Sequence, residues 1–356
     1  MSVRTAESPL QAVDRVGPVL REHAGLAESG GRLARPVLDA LRDAGLFRLL
    51  LPRSLGGLEV DPVTFAQVVE AVSRHDSAAG WLLQAASLGD WWGARFPEDG
   101  VEEMLAREPD GLMAAAFAPP VAGEPAEGGY RVTGRRPLAS SIHDATWLLV
   151  TAVVGDGAIA ATCRADEADV LDTWSSLGMR GTDSQDVVLQ DVFVPVRRTF
   201  PLVPAFTPGP HHQGPLYRMS AVSIQSALLG AIAIGIAEEA LAALRELAPG
   251  KMSLGSARPL RDRTSTHARL GRAAGLVRSA RALLHQTLAG SWEAARAGAA
   301  ADPERRAGDL LAGAQAVAAS VEAVDLVFAA AGSSAVLLGD PARVEEAADL
   351  LARAER

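Results

Sequence analysis

Residues 174–195, WSSLGMRGTDSQDVVLQDVFVP, constrain the fold more tightly than any other stretch of this chain. An aromatic and two serines lead into a turn around Gly178 and Gly181, after which the sequence alternates. Val187 and Leu189 point to one side and Val188 and Gln190 to the other, before Val192, Phe193, Val194 and a terminating Pro195. A period of two built on β-branched residues is a strand, and the glycine-rich approach is a loop that delivers Thr182 and Ser184 to its mouth. Hydroxyls and backbone N–H groups on such a loop suit a flat cofactor with polar edges. The same Gly-Thr-Ser chemistry also makes ordinary turns.

Helical patterns flank this strand-forming region on both sides. Pro36 stands where a helix starts, Val37, Leu38 and Leu41 follow at helical spacing, and Gly45 ends the run. Asp61 caps a helix that begins at Pro62, with Phe65, Val68, Val69 and Val72 as its apolar stripe. Asp76 and Ser77 open another carrying Trp81, Leu82 and Leu83, and Pro97 opens a short one with Val101, Met104 and Leu105. From Gly111 the runs shorten to 112–116, 130–133, 146–154 and 158–162, punctuated by Gly128-Gly129 and Gly155-Asp156-Gly157, which is hairpin chemistry. A proline-rich connector follows, with Pro201, Pro204, Pro208 and Pro210. Helices are then predicted over about 220–247, 259–297, 303–330 and 341–354, their Ala and Gly faces permitting close approach as in a four-helix bundle. The expected organisation is a helical domain (1–110), a small β domain (111–199), a linker (200–216) and a helix bundle (217–356).

A net charge of -9 argues against a polyanion such as nucleic acid as the main partner. Cys163 is the sole cysteine, so the chain forms no internal disulfide and no cysteine-based metal site. His211 and His212 are adjacent but lack a third ligand nearby, and no metal is expected. The N-terminus has no apolar run of the secretory kind, and the most apolar stretch, 227–237, is too short to span a bilayer. A cytoplasmic protein without a membrane partner is the expectation. No G-x-G-x-x-G follows a strand and no Walker sequence is present, which leaves no Rossmann or nucleotide triphosphate site.

Residues 174–195 resemble the β-domain signature of the acyl-CoA dehydrogenase superfamily, W-x-x-x-G-M-R-G-T-x-S-x-D-V-x-x-x-x-V-F-V-P, and are most similar to its two-component flavin-dependent monooxygenases. The resemblance runs from about 38 to about 339. It implies an N-terminal helical domain, a barrel-like middle domain and a C-terminal bundle. It also implies non-covalent reduced flavin (FADH2 or FMNH2) delivered by a separate reductase, and hydroxylation of an electron-rich aromatic or amine.

In these hydroxylases a loop similar to 137–147, PLASSIHDATW, faces the reactive edge of the flavin. Ser140 matches the loop's serine, whose hydroxyl there slows the collapse of the oxygen adduct to peroxide; at a strand end it also suits its own backbone. Ser141 stands where the family has glycine. His143, followed by Asp144, is either a proton-transferring pair or an exposed loop histidine. Trp81 ends S-A-A-G-W, similar to the family's S-A-A-W whose indole borders flavin and substrate; the alternative is core packing. Trp92 is a further candidate for the pocket wall.

Trp174, Thr182 and Ser184 are implied on the flavin, and Gly332, Ser333 and Ser334 match a glycine-rich turn on its phosphate or ribityl side, with Arg258 a cation for that phosphate. Leu338 occupies the place of the dehydrogenases' catalytic glutamate, leaving Glu238 or Glu239 as fallback bases, and the tail 343–356 carries no histidine where the hydroxylases have one. The alternatives are therefore an acyl-thioester desaturase or oxidase, and a non-catalytic member. A homo-oligomer, a tetramer or otherwise a dimer, is expected through the bundle.

Overall fold

The computed structural model describes residues 7–108, 111–202, 212–252, 258–299 and 302–332, and its elements fall in three successive groups. Five helices come first: α1 (Pro9–Gly30), α2 (Arg35–Asp43), α3 (Pro62–His75), α4 (Ser77–Gly93) and α5 (Glu98–Arg107). Seven strands follow: β1 (Met113–Ala126), β2 (Gly129–Ala139), β3 (Trp147–Val154), β4 (Gly157–Arg164), β5 (Asp169–Leu171), β6 (Gln185–Pro195) and β7 (Thr199–Pro201). The short α6 (Pro215–Arg218) then leads into α7 (Ala221–Leu247), α8 (Thr264–Arg296) and α9 (Pro303–Ala331).

Local chemistry accounts for the ends of these elements. The Ser8 side chain accepts from Gln11 N while the Gln11 side chain accepts from Ser8 N, a closed capping box that starts α1. The Asp61 carboxylate caps α3 through Val63 N and Thr64 N, and the Asp76 carboxylate caps α4 through Ala78 N and Ala79 N. α8 begins at Thr264 rather than near Pro259. A bridge between Met252 and Pro259 and a 3-10 turn over Leu260–Asp262 take up the intervening residues, with Leu260 N donating to Lys251 O at 2.9 Å.

The strands form one sheet in the order β5-β6-β2-β1-β3-β4-β7, with β5 and β7 at its edges, rather than a closed barrel among the described residues. β1 is longer than its sequence pattern because Pro119 and Pro120, which supply no ladder N–H, interrupt the register between Ala116 and Val121 without ending the strand. In β6, Val187 and Leu189 are buried, as are Val192 and Val194, an exchange of odd for even positions. Asp191, at φ 56°, absorbs the extra residue where β6 bulges against β2.

Both faces of the sheet's centre are covered. Along β3, Trp147 and Leu149 join the helical core, while Leu148 and Val150 join a second core within the sheet domain. Trp92 joins α4 to the sheet, its ring stacked on Phe200 at 5.5 Å and edge-on to Trp91 at 5.0 Å. Cys163 is buried with its thiol pushed up to about 12 by desolvation, an inert packing group. α7 and α9 are long and apolar enough by composition to cross a membrane; α7 is the spine of the fold, packed on α3, α8 and α9.

Candidate functional site

Two loops of the sheet domain meet over the N-terminal half of α4. One joins β2 to β3 and carries Ser140, Ser141 and His143; the other precedes β6 and carries Thr182, Asp183 and Ser184. Their backbones are tied directly, Ser141 N donating to Thr182 O at 2.8 Å and to Asp183 O at 3.0 Å. Both loops hold non-glycine residues in the left-handed region: Ser141 at φ 57°, Met179 at 55° and Asp183 at 48°. Each such residue costs roughly 1–3 kcal/mol, and such strain gathers where surrounding structure fixes a functional geometry. Ser141 occupies the family's glycine position in a conformation that glycine favours, and its hydroxyl reaches Thr182 O at 3.4 Å.

The loops bring three buried hydroxyls into a row. Ser140 Oγ lies 2.8 Å from Ser184 Oγ, and Ser184 Oγ lies 2.9 Å from Thr182 Oγ1. Trp81 Nε1 donates to Ser140 Oγ at 3.0 Å, so the indole of α4 orients the end of the row. Three hydroxyls carry three hydrogens, and the two contacts between them use two. One O–H hydrogen is left without an acceptor among the described residues, available to an acceptor edge placed against the row.

A histidine and a buried aspartate flank this row. His143 Nδ1 lies 2.9 and 3.0 Å from the two oxygens of Asp183, and His143 N donates to Asp183 Oδ2 at 3.2 Å. Gln185 Nε2 donates to Asp183 Oδ1 at 3.1 Å, while Gln185 Oε1 accepts from Thr173 N and Trp174 N. The histidine's partner is thus Asp183, not the adjacent Asp144 of the sequence expectation. Asp144 closes the 3-10 turn Ile142–Asp144 and is engaged by Arg32 at 2.8 Å. Nothing in the sequence separated the two aspartates, since the family pattern leaves position 183 open.

α1 supports the second loop from behind. Glu28 Oε2 accepts from Arg180 N at 3.0 Å, and a Cβ on Gly181 would stand 2.9 Å from Ala27 Cβ and 3.1 Å from Ala78 Cβ. Only glycine lets the loop seat between α1 and α4. The close approach of this glycine and the role of α1 escaped the sequence reading.

The remaining expected residues are dispersed. Trp174 bridges its own turn, its Nε1 donating to Arg180 O at 3.2 Å. Trp92 is taken up by the aromatic packing between α4 and the sheet. Arg258 is exposed beside the Met252–Pro259 bridge, and Gly332 ends α9 at φ 62°. Ser333, Ser334 and Leu338 lie outside the described residues. Glu238 is paired with Arg281 at 3.0 Å and Glu239 with Arg74 at 3.4 Å. No group of His, Cys, Asp and Glu fit to hold a metal occurs among the described residues.

Family models for the N-terminal and C-terminal domains of acyl-CoA dehydrogenase match residues 12–100 and 227–343. The indole-3-acetate monooxygenase of Pseudomonas putida is 30% identical over 286 residues, 78% of this chain and 72% of the relative. That extent decides the family. The chain belongs to the acyl-CoA dehydrogenase family, among its flavin-dependent monooxygenases. The oxygenase component of an FADH2-dependent resorcinol hydroxylase from a Rhizobium species is 32% identical over 255 residues, 68% of this chain and 62% of that protein. Among solved structures, XiaF from a Streptomyces species, in complex with FADH2 and glycerol, superposes with a TM-score of 0.86 at 26% identity over 94% of this chain and 88% of its own.

Proposed function

We propose that this protein is the oxygenase component of a two-component flavin-dependent monooxygenase, taking reduced flavin from a separate reductase and hydroxylating an electron-rich aromatic or amine. The observation that carries the reading is the row Trp81–Ser140–Ser184–Thr182, with its one surplus hydroxyl hydrogen, in a chain of this family. A flavin ring presents acceptor atoms along one edge, and a buried row of hydroxyls with a hydrogen to spare matches that edge. The chemistry the bound group supplies is the two-electron reduction of O2, one oxygen atom entering the substrate and the other leaving as water.

The protein's part is to hold and orient. Trp81 fixes Ser140 through Nε1–H, the Ser141 and Asp183 backbones clamp the two loops, and Ser140 presents a neutral donor in a site away from bulk water. His143, its Nδ1 held by the buried Asp183 carboxylate, is the side chain of the site positioned for proton transfer. The dehydrogenase alternative is not favoured. Its relatives' place is taken here by monooxygenases, and Glu238 is engaged by Arg281.

Anaerobic titration with FAD and FMN in both redox states is the direct test. Tighter binding of the reduced form is expected, followed by incorporation of one atom from labelled O2 into indole or resorcinol when a reductase is supplied. If neither FAD nor FMN binds in either redox state at micromolar protein, the reading is overturned in favour of a non-catalytic member.

A further inference from the structure

α1 ends on a pair of glycines, and the second fixes where the next side chain emerges. Gly31 sits at φ 72° and donates its N–H to Ala27 O at 3.0 Å, a left-handed turn that stops the helix. Arg32 is the first side chain after that turn, and it reaches both loops of the site. Its Nη2 lies 2.8 Å from Asp144 Oδ1, on the loop after β2, and its Nε lies 3.9 Å from Asp183 Oδ2, on the loop before β6. One guanidinium from the helical domain thus faces a carboxylate from each loop.

Both carboxylates belong to the surroundings of His143. Asp144 follows it in sequence, and Asp183 holds its ring at Nδ1. A carboxylate only accepts, so the nitrogen held there carries the ring hydrogen and Nε2 keeps the lone pair. Nε2 makes no hydrogen bond among the described residues. Two free acceptors beside one imidazole would divide its hydrogen between the two nitrogens. Arg32 removes that choice, because it occupies Asp144 while Asp183 stays committed to His143 N, His143 Nδ1 and Gln185 Nε2. Without the cation the two carboxylates, the Asp183 side chain only 2% exposed, would also repel each other across the loops. The pair of Arg32 with Asp144 adds little to stability, since the arginine is half-exposed and solvent screens its charge. Its effect is on placement.

Resting on the monooxygenase reading, we propose that Arg32 is a positioning residue for proton transfer by His143. It keeps Asp144 engaged, so that Asp183 alone receives Nδ1–H and Nε2 is the atom that takes up or returns a proton. The proton moves to and from Nε2 while the Nδ1 hydrogen stays on Asp183. The end of α1 therefore acts on the site in two ways. Ala27 and Glu28 seat the second loop, and Arg32 sets which carboxylate the histidine of the first loop meets.

Arg32→Met removes the charge and both contacts from a half-exposed position, so the protein should fold with its Tm nearly unchanged. The ring nitrogens of His143, read by NMR in full-length protein labelled with nitrogen-15 histidine and assigned with His143→Asn, report which nitrogen carries the hydrogen. The wild type is expected to carry it on Nδ1, and Arg32→Met to divide it between the two. With a reductase supplied, hydroxylated product per flavin oxidised should fall about tenfold in Arg32→Met, with flavin affinity changed about twofold at most. Asp144→Asn added to Arg32→Met removes the competing charge. It should return the hydrogen to Nδ1 and the product yield to within about twofold of the wild type. An Arg32→Met protein with the hydrogen still wholly on Nδ1 overturns the inference. So does a double variant as impaired as Arg32→Met, which would leave Arg32 a structural tie between the loops. The tautomer is read without flavin, and flavin titration reports on the monooxygenase reading alone, so the two failures are told apart.

Discussion

Ser140 Oγ accepts from the Trp81 indole N–H on one side and meets the Ser184 hydroxyl on the other, where either oxygen can donate. Ser140→Ala removes the end of the row and strands Trp81 Nε1. Loss of one preorganised donor costs about 3 kcal/mol, so hydroxylation relative to peroxide release should fall about a hundredfold, with flavin affinity changed only a few-fold. A peroxide assay beside product analysis checks this, and an unchanged ratio would move the donor role to Thr182 or Ser184. Asp183 has the opposite character, a buried acceptor for His143 N, His143 Nδ1 and Gln185 Nε2. Asp183→Ala leaves these donors unmatched and should destabilise the fold by about 3 kcal/mol, read as a lower Tm, whereas His143→Ala should lower turnover with a much smaller change in Tm.

Glycines set how closely the helices cross. A Cβ on Gly235 of α7 would stand 2.8 Å from Ser73 Cβ and run into the Glu70 carbonyl of α3, and one on Gly313 of α9 would meet the Ser226 carbonyl of α7. Gly235→Ala and Gly313→Ala should each cost about 3 kcal/mol in chemical denaturation, although alanine is the better helix former. Beside that crossing, burial lowers the pKa of His75 at the end of α3, and burial with the Arg281 charge lowers that of His285 on α8. Each histidine holds its proton less tightly folded than unfolded, so as the pH falls through the unfolded value of 6.5 the unfolded chain binds more protons and stability falls. Thermal scans from pH 7 to 5.5 should show that fall, and His285→Gln should reduce it. Caps and periodicity made α2–α5, α7 and α9 readable from sequence, since Asp61, Asp76 and the prolines sit where local chemistry starts a helix. α1 was less legible because Pro18 lies within it, and β1 because Pro119 and Pro120 cut its pattern. At the site, Ser140, Thr182, Ser184 and Trp81 carried a signature, but their joining into one row is a long-range fact. The choice of Asp183 over Asp144 depends on left-handed backbone at 141 and 183, which no periodicity encodes.

Across the whole molecule, one surface is out of keeping with a lone subunit. The inner face of α9 is lined by Ala312, Gly313, Ala316, Ala323 and Val327 against α7 and α8. Its outer face exposes Leu310 at 45%, Val317 at 37%, Val321 at 56% and Phe328 at 52%. These positions, with the half-buried Val324, are spaced by seven, four, three and four, the seam of a helix that packs along another helix. We propose that a second copy of this chain covers it. A two-fold axis brings the same stripe against itself, antiparallel, so that one exposed face supplies both halves of the contact. Arg272 of α8 pairs with Glu322 at the margin of the stripe, a charged rim around an apolar centre. Val321→Asp places a charge at the middle of that seam, where each copy would meet the other's, and should shift the protein to smaller species in sedimentation velocity. The exposed position costs the isolated subunit little, so its Tm at low concentration should change by less than that of Gly313→Ala. A wild type that sediments as monomer at high concentration, or a Val321→Asp protein with an unchanged assembly, would rule out this face as the contact between copies.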